Sequence, residues 1–201
     1  MKKTFWCLIV LLVFSCKQVE VTDVYNEEPI TAEYPCVSDA LNCLDSINIE
    51  GGSFNLYSSF SLDSVNLVSG AIIVVHGATR NGDDYFNRMI STIRSVGLED
   101  SIMVIAPQFI TEYEKVHDKD WYWNTTSWKW GNQSYMNSAQ ISISSFSVID
   151  YLLSRVANTN KFPNLSKVLI TGHSSGSAFT HTFSSTKTSN AFGDLRVDFA
   201  V

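Results

Sequence analysis

Three short, largely apolar runs rich in β-branched residues constrain the fold of this 201-residue chain more than any other feature. They lie at positions 71–75, 102–106 and 168–171, and continuous hydrophobicity over this length is typical of strands that are buried on both faces. An amphipathic stretch with helical spacing follows each run. Strands that alternate with helices favour right-handed βαβ units. The sequence therefore predicts an α/β fold, with a mainly parallel sheet and helices on both of its faces.

The first residues have the pattern of a bacterial export signal. Two lysines precede an apolar stretch at positions 5–14, which is shorter than the roughly 20 residues of a membrane-spanning helix. The stretch ends at Ser15-Cys16, which resembles a lipobox, so residues 1–16 are predicted to be a lipoprotein signal with lipidation at Cys16. We expect the mature protein to be anchored to a membrane of a bacterial cell envelope, facing the periplasm or the exterior. The alternative is an ordinary signal peptide that is cleaved nearby.

The next segment, residues 17–46, is polar and acidic and shows no sustained periodicity. It is predicted to be a tether that leads to a folded domain at residues 47–201. The segment contains Cys36 and Cys43, and an oxidising compartment would permit a disulfide between them. Two unbridged cysteine side chains are the alternative. No CxxC or HxxxH spacing accompanies them, so no metal site is predicted.

The charge distribution narrows the set of partners. The formal net charge is -6, and no run of Lys or Arg is present that could follow a phosphate backbone. Nucleic acid is therefore not an expected partner. No cofactor is predicted either, and the sequence leaves the oligomeric state open.

The pentapeptide at residues 172–176 has the form G-x-S-x-G, directly after the run at 168–171 and before a helical stretch. A serine on a sharp turn between a strand and a helix is exposed, and glycines two residues away on either side allow the close approach of the two elements. The helix N-terminus offers free N–H groups to a developing oxyanion. We therefore predict that Ser174 is a nucleophile and that the N–H of Ser175 stabilises the oxyanion. The alternative is a plain Gly/Ser turn.

A second turn follows the run at 71–75, where the sequence is His76-Gly77-Ala78. A His-Gly pair at the end of a strand in this topology supplies the other backbone N–H of an oxyanion hole. We assign that N–H to Ala78. His76 itself is expected to make structural hydrogen bonds and not to act as the catalytic base.

The stretch from position 107 to about 137 is predicted to be a long, ordered loop, because four tryptophans give it a higher aromatic content than disordered segments have. Two interpretations of these tryptophans are open. Trp121 and Trp123 are candidates for an apolar wall that contacts an acyl or polymer chain. Alternatively, the rings pack the loop onto the core.

Taken together, residues 74–86, the tryptophan loop and residues 162–176 resemble α/β hydrolases related to polyhydroxybutyrate depolymerases and other extracellular serine esterases. The resemblance covers roughly residues 70–201. It implies an α/β-hydrolase fold and the hydrolysis of a small or polymeric ester through an acyl-enzyme on Ser174. It does not identify the substrate.

In this superfamily the catalytic acid and base follow the nucleophile in the order Ser, Asp or Glu, His. The resemblance places them after the strand that begins near position 197, so the chain to Val201 is expected to be a partial α/β-hydrolase fold that lacks its last strands and is inactive in this form. His181 and His117 are weak candidates for the base. The rival hypothesis is a non-catalytic, hydrolase-like lipoprotein that binds a glycan, a polymer or a partner.

Overall fold

A computed structural model describes residues 35–186 and 192–201. Its strands are β1 (Leu44–Ile49), β2 (Gly52–Ser58), β3 (Gly70–Val75), β4 (Ile102–Pro107), β5 (Lys167–Gly172) and β6 (Arg196–Ala200). Its helices are α1 (Gly82–Ser95), α2 (Ser145–Val156) and α3 (Ser175–Thr186). Short 3-10 helices occur at Ala40–Cys43, Glu112–Glu114 and Trp128–Trp130.

The described strands form one sheet in the order β1-β2-β4-β3-β5-β6. Strands β4, β3, β5 and β6 are parallel, whereas β2 is antiparallel to both β1 and β4. The prediction of a mainly parallel sheet is confirmed, and the antiparallel hairpin of β1 and β2 extends it at one edge. Residues 64–68 alternate loosely between polar and apolar side chains in the sequence, but they do not form a strand.

Both faces of the central parallel strands β3 and β4 are covered, as their continuous hydrophobicity predicts. On β3, Ile73 and Val75 belong to the hydrophobic cluster that contains α2 and α3 residues, whereas Val74 belongs to the cluster beneath α1. The same division separates Ile105 from Val104 on β4. Successive side chains of a strand point to opposite faces, so an apolar residue is needed at every position.

The helix boundaries follow local capping. The first turn of α1 carries Asp83 and Asp84, where negative charge is favourable, and Gly97 beyond its end has a φ of 68°. Helix α2 begins at Ser145, because the Ser144 side chain accepts a hydrogen bond from the Phe146 N–H. The helical spacing of apolar residues in the sequence predicts a start at Ile141, but the helix begins four residues later.

The predicted tether ends earlier than residue 46. Cys36 and Cys43 form a disulfide, the 3-10 helix Ala40–Cys43 follows within that loop, and β1 starts at once afterwards. Ala40 is fully buried, and its N–H donates to Asn87 Oδ1 on α1 at 3.0 Å. The segment from position 35 is therefore part of the folded domain, because a covalent link and burial against α1 hold it without any periodicity.

The rest of the predicted tether and the predicted signal at residues 1–16, with Cys16, lie outside the described residues. Within residues 35–186 and 192–201, no helix has the length and apolar character needed to cross a membrane.

Candidate active site

Ser174 occupies the sharp turn between β5 and α3. It is exposed, and its φ is 58°, in the left-handed region that non-glycine residues seldom adopt. Such a conformation costs a non-glycine residue about 1–2 kcal/mol and persists only where the surrounding structure determines it. This is the geometry of a nucleophile elbow, in which strain holds the serine side chain clear of the sheet.

Two glycines make this turn sterically feasible. A Cβ on Gly176 would lie 2.1 Å from the carbonyl oxygen of Val75, and a Cβ on Gly172 would lie 2.5 Å from the carbonyl carbon of Gly176. Both contacts are far inside van der Waals distance and involve backbone atoms. Glycine is therefore required at both positions for α3 to approach β3 and β5 so closely, as the sequence predicted.

The sheet register brings the second turn to the elbow. Val75 at the end of β3 is paired with Gly172 at the end of β5, so the residues that follow both strands emerge side by side. A Cβ on Gly77 would lie 3.7 Å from the carbonyl oxygen of His173 and 2.9 Å from the hydroxyl of Tyr85. The His-Gly turn and the elbow are therefore in contact, and Tyr85 is a neighbour that the sequence did not single out.

His76 is a structural residue, as expected. Its side chain is fully buried, and its Nε2 accepts a hydrogen bond from the Phe109 N–H at 3.0 Å. The proton of the neutral ring is therefore on Nδ1, which donates to the carbonyl oxygen of Gly77 at 2.9 Å. Burial lowers the pKa of His76 to about 4. A neutral ring with both nitrogens engaged cannot serve as the catalytic base.

The same hydrogen bond determines the direction of the Ala78 N–H. This N–H shares a peptide unit with the Gly77 carbonyl, which accepts from His76 and, at 3.1 Å, from the N–H of Arg80. The described residues contain no cis peptide bond, and in a trans peptide the N–H points opposite to the carbonyl. With the carbonyl held toward the buried imidazole, the Ala78 N–H is directed away from the core.

Within the described ranges, neither the Ala78 N–H nor the Ser175 N–H donates to a protein acceptor. Ser175 is the first residue of α3, so its N–H is one of the unpaired donors at the helix start. Both amides are thus available to an anion beside Ser174. Their assignment to an oxyanion hole stays a prediction.

An ion pair between Arg80 and Glu114 stabilises the His-Gly turn. Arg80 Nε lies 3.0 and 2.9 Å from the two carboxylate oxygens of Glu114, and Arg80 Nη1 donates to the carbonyl oxygen of Ala78 at 3.1 Å. Burial raises the pKa of Glu114, but hydrogen bonds from Arg80 and Thr111 outweigh it and hold the pKa below its ordinary value. The carboxylate is therefore charged at neutral pH.

The prediction that Trp121 and Trp123 form a wall for the substrate is wrong. Trp121 and Trp123 are 1% and 0% exposed, so neither ring offers a surface to a substrate. Trp121 Nε1 donates to the carbonyl oxygen of Ile49 at 2.9 Å, and Trp123 Nε1 donates to that of Asn132 at 3.1 Å. Both side chains pack the long loop onto the core, which is the alternative that the sequence left open.

Trp128 is the tryptophan of this loop that supports the site. It is fully buried, and its ring centroid lies 4.7 Å from that of His76 and 5.3 Å from that of Phe109. It also stacks on Phe179 of α3 at 6.2 Å. The ring therefore fills the space between the His-Gly turn and the helix behind the elbow, a role that no local sequence signal assigns.

No candidate base meets Ser174 in the described part of the chain. His181 lies in α3, seven residues after Ser174 and therefore roughly 10 Å along the helix axis at 1.5 Å per residue. His117 is exposed, and its backbone N–H donates to Asp120 Oδ2. Asp198 lies on β6 at the edge of the described sheet and pairs with Arg196 at 2.9 Å. The described residues also contain no group of three or more side chains that could hold a metal ion.

The strand order, the antiparallel β2 and the strained serine between β5 and α3 define an α/β-hydrolase fold. The sequence matches no protein-family model and no curated protein. Three solved structures are similar to this chain, which spans 50–57% of the length of each of them.

The first is poly(aspartic acid) hydrolase-1 from Sphingomonas sp. KT-1, with a TM-score of 0.46 and 19% identity over 70% of this chain and 50% of that one. The second is an acetyl xylan esterase from Aspergillus awamori, with a TM-score of 0.45 and 16% identity over 79% and 50%. The third is an α/β serine hydrolase without a lid from Xanthomonas campestris, with a TM-score of 0.42 and 12% identity over 73% and 57%. The narrower likeness to polyhydroxybutyrate depolymerases stays a prediction.

Proposed function

We propose that this protein is a serine hydrolase that cleaves ester bonds through an acyl-enzyme on Ser174. The observation that carries the proposal is the left-handed φ of 58° at an exposed serine in front of a helix N-terminus. Backbone strain of this kind is concentrated at functional sites. A plain Gly/Ser turn would have no need of a serine there, because glycine adopts the same conformation without strain.

In the proposed reaction, Ser174 Oγ attacks the ester carbonyl and gives a tetrahedral intermediate. The N–H groups of Ala78 and Ser175 stabilise its oxyanion, the alcohol departs, and water then hydrolyses the acyl-enzyme. The reaction needs a base to take the serine proton and return it to the alcohol. His76 is not that base, because both of its ring nitrogens are already hydrogen-bonded.

We place the catalytic base and its orienting acid in a segment that follows residue 201. The order of the triad in this superfamily supports this position, because both residues come after the nucleophile strand.

We further propose that the protein is exported and anchored by lipid on Cys16. The disulfide between Cys36 and Cys43 supports export, because disulfides persist in oxidising compartments. In a bacterial host, the protein should incorporate labelled palmitate, and Cys16→Ala should abolish the incorporation. Soluble, signal-cleaved protein without label would contradict the anchor.

The experiment for the catalytic proposal uses protein expressed from the complete coding sequence. It should react with a fluorophosphonate probe and hydrolyse short-chain acyl esters, and Ser174→Ala should abolish both. Ser177→Ala is the matched control, because it removes a hydroxyl from the same helix and should leave labelling unchanged. Absence of labelling in the unsubstituted, folded protein would refute the proposal and favour the non-catalytic binding protein.

A further inference from the structure

The turn that carries the Ala78 amide is held by a chain of polar contacts from outside the turn. Arg80 has a left-handed φ of 55°, and its carbonyl oxygen accepts from Gln108 Nε2 at 2.6 Å. The same Gln108 accepts from the Gly82 N–H through Oε1 at 3.0 Å. One glutamine after β4 therefore fixes the backbone on both sides of Asn81, at the point where the turn enters α1.

The side chain of Arg80 makes the second connection. Its Nε faces both oxygens of Glu114 and its Nη1 donates to the Ala78 carbonyl, so one planar guanidinium joins the acid to the turn. The side chains are 20% and 34% exposed, so solvent screens this pair only in part.

Glu114 is itself fixed. One of its oxygens accepts from the N–H of Thr111 at 2.8 Å and from the Thr111 hydroxyl at 3.0 Å. Thr111 is buried, with 2% of its surface exposed. The carboxylate therefore has one position relative to β4 and transmits that position through Arg80 to the Ala78 carbonyl.

We propose that Arg80 and Glu114 are a positioning pair for the oxyanion hole. Together they hold the peptide that follows Ala78, so that the Ala78 N–H meets the oxyanion without reorganisation during the reaction. The inference rests on the proposed function, because it assigns these residues to the same reaction. Neither residue touches the reacting atoms.

The variants are Arg80→Lys, Arg80→Gln and Glu114→Gln, in protein expressed from the complete coding sequence. Lysine keeps the charge but replaces the rigid planar fork by a rotatable ammonium group, so it should not hold Glu114 and the Ala78 carbonyl in a fixed relative position. Arg155→Gln is the matched control. Arg155 on α2 likewise donates to a carboxylate and to a backbone carbonyl, those of Asp63 and Leu62, but it lies away from the site.

The measurement compares kcat/KM for an ester and for the corresponding thionoester. Sulfur accepts hydrogen bonds more weakly than oxygen, so a well-placed oxyanion hole prefers the ester strongly. The ratio comes from one enzyme preparation, so it does not depend on how much of a variant is folded. A residue that only stabilises the fold would lower both activities equally and leave the ratio unchanged.

We expect the Arg80 and Glu114 variants to lower kcat by about 10- to 100-fold, with little change in KM. This decrease is smaller than the one expected when an oxyanion-hole donor is removed completely. Their ester-to-thionoester ratio should fall toward one, and Arg155→Gln should keep the unsubstituted ratio. An unchanged ratio in all three variants would overturn the positioning role and leave the proposed function intact. Absence of Ser174-dependent activity in the unsubstituted protein would overturn both.

Discussion

Replacing Ser174 by glycine should stabilise the protein while removing its proposed nucleophile. At a φ of 58°, the Cβ of Ser174 crowds the following carbonyl oxygen. This left-handed conformation costs a non-glycine residue about 1–2 kcal/mol. Glycine avoids that cost but loses about 0.5–1 kcal/mol through the greater entropy of the unfolded chain. The midpoints of these two ranges leave a net stabilisation of about 0.75 kcal/mol.

The reference for this prediction is Ser174→Ala, which removes the hydroxyl but keeps the Cβ and its strain. A change of 1 kcal/mol shifts the melting temperature of a protein of this size by about 2–4 °C. Ser174→Gly should therefore melt about 1–4 °C above Ser174→Ala. Neither variant should react with a fluorophosphonate. Thermal unfolding by circular dichroism, in parallel with probe labelling, separates the two effects.

Gln140 supplies a matched control, because it has a φ of 60° in an exposed loop. Gln140→Gly should give a gain of similar size and leave labelling intact. If Gln140→Gly raised the melting temperature but Ser174→Gly melted at or below Ser174→Ala, the elbow would not be strained. The reasoning that links strain to function at Ser174 would then fail.

Three further predictions concern the scaffold of the site. Gly176→Ala should destabilise the protein by about 3 kcal/mol in urea unfolding, because its Cβ would meet the backbone oxygen of Val75, and unchanged stability would contradict the close approach. The pKa of His76 falls from 6.5 to about 4 on folding, so the unfolded state binds the extra proton and stability should drop by about 3 kcal/mol between pH 6.5 and 4. His76→Gln should flatten that pH dependence. Replacing Cys36 and Cys43 by serine should cost about 2–3 kcal/mol, measurable as a lower denaturation midpoint, because their bridge closes a short loop in the unfolded chain.

The parallel strands could be predicted from sequence because burial on both faces leaves a strong local pattern. Ile73 and Val74 face different hydrophobic clusters, so every position of β3 must be apolar. The elbow could be predicted for a similar reason. Gly172 and Gly176 are required by contacts within a few residues of Ser174, so the steric requirement appears as a short motif.

The path of the long loop could not be predicted, because contacts distant in sequence determine it. Trp121 donates to Ile49, 72 residues away, and its ring lies where a side chain on Gly52 would be. A tryptophan in a polar loop has the same local sequence whether it faces a substrate or the core. The fold of residues 35–46 could not be predicted for a related reason, because a disulfide leaves no periodicity in the sequence.

The proposed oxyanion hole combines both kinds of information. Each of its two turns is encoded locally by glycines, and the pairing of Val75 with Gly172 brings the turns together. The direction of the Ala78 N–H, in contrast, depends on His76 and Arg80, whose partners Phe109 and Glu114 lie 33 and 34 residues away. Substitutions of the glycines should therefore disturb the fold before the chemistry. Substitutions of the polar contacts should disturb the chemistry in a protein that still folds, which is the distinction that the ester and thionoester ratio measures.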